Sequence, residues 1–128
     1  MKKFKFEKLV RDNILSNILN GTKTNKVNFK ILNNKQFLIS LKKKFDEELK
    51  ELDLNNKEDA IKELADLQLI IDTCLKTLEI NKKEFREIAK NKNKKAGKFN
   101  KRIYIKNIEI DEKDEWFDYY VKKYKEIK

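Results

Sequence analysis

The chain has no histidine, no proline, one cysteine and two glycines among its 128 residues. Without histidine there is no Ser-His-Asp or Cys-His nucleophile and no imidazole-bound metal. A lone cysteine has no partner for an internal disulfide and argues against zinc. Cys74 lies in "LQLIIDTCL", where the apolar helical pattern reads it as a buried free thiol. No run approaches the roughly 20 apolar residues of a membrane span, and no apolar run follows the basic start as in a signal peptide. No membrane partner and a cytoplasmic location are therefore expected. Any chemistry must rest on carboxylates, lysines and arginines.

The net charge of +10 invites a nucleic-acid reading, since clustered cations neutralise phosphates. That signal is discounted here. Missing proline beside abundant lysine, asparagine and isoleucine is a bias that A/T-rich coding produces without selection for DNA binding. The length supports one domain with a modest core, and the periodic Leu, Ile, Phe and Tyr argue against wholesale disorder despite 42% charged residues.

The apolar spacing predicts an all-α chain. Leu9, Val10, Ile14, Ile18 and Leu19 suit a short helix over Phe6–Asn20, ending near Gly21. Val27 to Ile31 reads as a short strand in an extended connection. Phe37, Leu38, Leu41, Phe45, Leu49 and Leu52 define a long helix from Asn34 to Leu52. Asn55 or Asn56 caps a third, largely buried helix running to about Leu78, and the short turn makes the two antiparallel neighbours. Asn81 with Glu84 opens a fourth helix to about Lys95, which Gly97 ends. "RIYI" at Arg102–Ile105 favours a short strand, and Asp111 caps a terminal helix carrying Trp116, Phe117, Tyr120, Val121 and Tyr124. The expectation is an antiparallel helical bundle of about four core helices over residues 1–106. An extra helical extension over 107–128 would pack on it, its aromatic stripe serving packing rather than recognition.

Against the basic background stands one acidic island. From Asp46 to Asp66 there are nine acids and three lysines, a net charge of −6. Lys50, Lys57 and Lys62 do not interleave finely enough to neutralise it. Glu47, Glu48 and Glu51 converge on one flank of their helix, Glu63 and Asp66 on the next. Antiparallel packing would bring the two flanks together as a pocket of about five carboxylates. A solvated acidic face is the bland alternative; a cation would offset the like-charge cost. Hard oxygen ligands suit Mg²⁺ or Mn²⁺, and metal-assisted hydrolysis of a phosphate ester or anhydride is the natural reaction.

The order "EELKE" then "ELAD" resembles the Glu-Glu-x-x-Glu and Glu-x-x-Asp signature of the all-α, MazG-like nucleoside triphosphate pyrophosphohydrolases, which include phosphoribosyl-ATP pyrophosphohydrolase. "KLVRDNI" and "KNKKAGKFNKRIYI" are similar to the opening and closing segments of the phosphoribosyl-ATP branch, although Gly97-Lys98-Phe99 stands where that branch has Gly-Gly-Phe. The resemblance implies an oligomeric helical bundle, dimer or tetramer, that uses Mg²⁺ to cleave a nucleoside triphosphate to the monophosphate and pyrophosphate. It implies Glu47, Glu48, Glu51, Glu63 and Asp66 as the metal and catalytic shell. Lys8, Arg11, Lys92 and Lys95 would meet the phosphates, with Asp12 orienting Arg11 or joining the site. The alternatives are a helical nucleotide sensor without turnover, or an adaptor whose basic surface binds nucleic acid or a partner protein.

Overall fold

The computed structural model describes every residue from Met1 to Lys128. It is all-α, with no strand. Its five helices are α1 (Ile14–Gly21), α2 (Asn34–Glu51), α3 (Lys57–Thr77), α4 (Lys82–Ala96) and α5 (Phe117–Lys123). The chain divides into two compact units, Met1–Lys90 and Asn91–Lys128.

In the first unit the extensive helix–helix packing is that of α2 on α3, where about four core helices were expected. The repeating apolar positions explain both helices, and their caps fix the ends. Asn33 accepts from the Gln36 amide at 2.9 Å while the Gln36 side chain accepts from the Asn33 amide at 3.2 Å, a reciprocal capping box. In the connecting turn the Asp53 side chain accepts from the Asn55 amide, and Asn56 caps α3 by accepting from the Asp59 amide. Glu58 and Asp59 then face the positive end of α3. Leu41 on α2 and Ala60, Leu67 and Ile70 on α3 form the buried core, and Glu48 is buried beside them.

The expected start of α1 is wrong by about two turns. Residues 6–13 are not helical; Asp12 and Asn13 instead make a turn, and the Ile14 amide donates to the Arg11 carbonyl at 3.1 Å. Short polar side chains favour caps and turns over helix interiors. Val27–Ile31 and Arg102–Ile105 are not strands either. β-Branched composition raises strand propensity, but an extended segment needs a neighbouring ladder for its amides, and neither segment has one.

In the second unit Gly97 sits just past α4 with φ +83, the left-handed cap a glycine adopts without strain. Asp111 does not cap a helix. Its side chain accepts from the Lys113 amide, and the Asp114 side chain accepts from the Trp116 amide, so two successive turns delay α5 to Phe117. Tyr119 is the hub of the aromatic cluster on α5, edge-on to Trp116, Tyr120 and Tyr124 with centroids 5.4–6.4 Å apart.

Candidate functional site

The site forms on the α2–α3 hairpin, at the end nearest its turn. Antiparallel packing sets the last turns of α2 against the first turns of α3, so the "EELKE" and "ELAD" stretches meet. Carboxylate oxygens of Glu48, Glu63 and Asp66 lie within 4.8 Å of one another. Glu48 is buried, at 8% exposure, and Glu63 and Asp66 are half-buried.

Burying three carboxylates together demands compensation, and two kinds of it are present. The first is basic side chains. Lys44, one turn before Glu48, reaches Glu48 at 3.2 Å and Glu47 at 3.5 Å, and Lys8 approaches Glu47 at 3.7 Å. Arg11 pairs with Asp66. The second is a proton. Glu63, hydrogen-bonded to Glu48, partly desolvated and faced by the charges of Glu48, Glu51 and Asp66, is pushed up to about 7. Glu48 moves the opposite way, held below its ordinary range first by the hydrogen bond from Glu63 and then by Lys44, against the effect of burial. For Lys44, burial favours the neutral amine, but Glu48 and Glu47 outweigh it and the ammonium is stabilised.

One atom is left without a partner. Glu63 Oε2 is fully buried and receives no hydrogen bond. A buried acceptor without a donor is expensive, and both a shared proton and a bound cation relieve it.

Of the five acids read from the sequence, the structure gathers Glu48, Glu63 and Asp66 into the centre. Glu47 lies at its rim between Lys8 and Lys44, and Glu51 is exposed but close enough to act on Glu63. Lys8 and Arg11 are brought to the acids by the non-helical segment before α1. Asp12 is exposed and makes no ion pair with Arg11. Lys92 and Lys95 are exposed on α4, in the second unit. Lys44 was missed by counting charges only from Asp46 onward. Its spacing of three and four residues from Glu47 and Glu48 was the available signal.

The chain matches no family model, no curated protein and no solved structure. What the site can do is therefore read from its own chemistry. Three oxygens from two helices, with no nitrogen or sulfur donor among them and one buried oxygen lacking a hydrogen-bond partner, are a set of the kind that could hold one hard cation. Around one octahedral Mg²⁺ adjacent ligand oxygens stand about 3 Å apart and opposite ones about 4 Å, so carboxylate oxygens spaced up to 4.8 Å apart would draw together on binding.

Proposed function

We propose that Glu48, Glu63 and Asp66, with Glu47 and Glu51 at the margin, hold Mg²⁺ or Mn²⁺, and that the chain hydrolyses a nucleoside triphosphate to the monophosphate and pyrophosphate. The observation that carries this reading is the convergence of the three carboxylates, one of which, Glu63, has a buried oxygen without a hydrogen-bond partner. The residue order that resembles the pyrophosphohydrolases supports the substrate class. A homo-oligomer, dimer or tetramer, in the cytoplasm belongs to the same reading.

A bound divalent ion supplies charge that polarises phosphoryl oxygens and lowers the pKa of water. The chain's own residues do the rest. Glu63 would have to give up the proton it shares with Glu48 for a cation to bind, so binding is expected to strengthen as pH rises through about 7. Lys8 and Arg11, both substantially exposed at the rim, exchange carboxylate for phosphate partners, Arg11 with its bidentate fork. Lys44 stays on Glu47 and Glu48 and keeps the α2 carboxylates oriented. Asp12, Lys92 and Lys95 remain candidates through the resemblance alone.

Purified protein incubated with a panel of nucleoside triphosphates and Mg²⁺ is expected to release pyrophosphate. Glu48→Gln and Asp66→Asn should each abolish turnover while leaving the helical spectrum intact. A folded wild-type chain that turns over no nucleotide would refute the enzyme reading.

A further inference from the structure

Net charge taken over the whole chain carries little, but its distribution does. Residues 91–108, all in the second unit, hold seven cations and no acid. The other long acid-free stretch, residues 13–45, spreads seven cations over almost twice that length, and Phe37 and Phe45 within it are half-buried. The rings of the second-unit run are not. Phe99 is 96% and Tyr104 87% exposed, whereas the α5 rings pack edge-on against one another. Isolated exposed apolar residues are ordinary. Here each ring stands between cations, Phe99 between Lys98 and Lys101 and Tyr104 between Arg102 and Lys106. The backbone presents them. α4 stops at Ala96, Gly97 turns the chain, and the Arg102 amide closes a further turn on the Phe99 carbonyl at 3.0 Å; beyond it residues 103–109 run exposed and outside any helix.

We propose that residues 91–108 bind single-stranded nucleic acid, the cations meeting phosphates while Phe99 and Tyr104 stack on bases. Three properties select this ligand. A chain of regularly spaced phosphates is what an acid-free run of seven cations complements, since each phosphate neutralised releases counterions. Flat rings left in water beside those cations fit unstacked bases, every one of which offers a π-face. A duplex keeps its bases stacked inside and engages the lysines alone; reading its major groove takes a helix or a paired ribbon, and residues 97–108 form neither. Phosphate and stacking contacts are common to RNA and DNA strands, so the chemistry of the site admits both. The coding bias that enriches lysine sets how many cations the chain has, not their gathering without acids around two exposed rings. The site belongs to the other unit from the acidic centre, and it needs neither a divalent ion nor a nucleoside triphosphate.

Fluorescence anisotropy of the full chain with labelled, unstructured RNA and DNA strands of about 20 nucleotides, in the absence of divalent metal, tests it. Single strands are expected to bind, at least about tenfold more tightly than a duplex of the same length, and with an affinity that falls at least about tenfold between about 50 and 200 mM salt. The tighter of the RNA and DNA arms identifies the strand. Phe99→Ala with Tyr104→Ala should weaken single-strand binding at least about tenfold, leave duplex binding unchanged and keep the helical spectrum, because both rings are in solvent. Lys98→Gln, Lys101→Gln and Arg102→Gln together should lower both the affinity and its salt slope. Lys35→Gln, Lys42→Gln and Lys43→Gln together remove the same charge from exposed positions of α2 and should change little. No saturable binding at low salt, a duplex or polyglutamate bound as tightly as single strands, a ring variant that binds like the wild type, or equal losses in the two triple variants would each overturn the site. None of these results bears on turnover.

Discussion

Glu48 and Glu63 meet across the α2–α3 seam with carboxylate oxygens within 4.8 Å, and the contact pushes their proton affinities apart. Glu63 rises to about 7 from an ordinary 4.5, while Glu48 falls below that value. Two acids on adjoining helices thus behave as one site that holds a proton near neutrality.

The shared proton gives stability a definite pH dependence. Between 4.5 and about 7 the folded chain binds the Glu63 proton and the unfolded chain does not, so this contribution falls as pH rises through the window. Glu48 acts elsewhere: its stabilisation is present above 4.5 and is lost as pH falls through its lowered value. Urea midpoints of the metal-free wild type should therefore decline from 4.5 towards 7, and Glu63→Gln should flatten that decline. A wild-type midpoint that climbs through the window, or a slope unaltered in Glu63→Gln, would contradict the shared proton.

Lys44 is the cation that permits burial of Glu48. Lys44→Met keeps the aliphatic stem but leaves the buried carboxylate short of a partner, at a cost of about 1–3 kcal/mol. In the Glu48→Gln background the same change should cost much less. Chemical denaturation of the four proteins in a double-mutant cycle measures the coupling, and additive effects would show that the 3.2 Å contact contributes nothing.

α3 ends in a left-handed cap that a glutamate occupies. The Glu79 amide donates to the Lys76 carbonyl and the Ile80 amide to the Leu75 carbonyl, with Glu79 at φ +56. A side chain at such a position costs about 1 kcal/mol relative to glycine. Glu79→Gly is expected to raise the denaturation midpoint, and a lower midpoint would mean that the glutamate side chain contributes more than its backbone strain removes.

The sequence announced α2 and α3 well because a sustained three–four apolar repeat and an asparagine cap act locally. Gly97 marked the end of α4 for the same reason. The starts of α1 and α5 were not legible: Asn13, Asp111 and Asp114 follow turn chemistry that competes with helix over only a few residues. The strand propensities of Val27–Ile31 and Arg102–Ile105 were real, but a strand also needs a neighbour, and composition does not supply one. In the site, the spacing placed five acids on two flanks. It did not show that Glu48 turns into the seam while Glu47, about 100° away around the helix, stays at the rim. Nor did it reveal Lys44 as their counter-ion, since the acidic count began two residues after it.

Calorimetric titration of the metal-free protein with Mg²⁺, at a pH above the Glu63 value of about 7, tests the central claim most directly. The wild type should show one saturable site per chain. Arg11→Gln should bind more tightly because it frees Asp66, and Asp66→Asn should not bind. No saturable heat in the wild type, or equal binding in Asp66→Asn, would contradict the account.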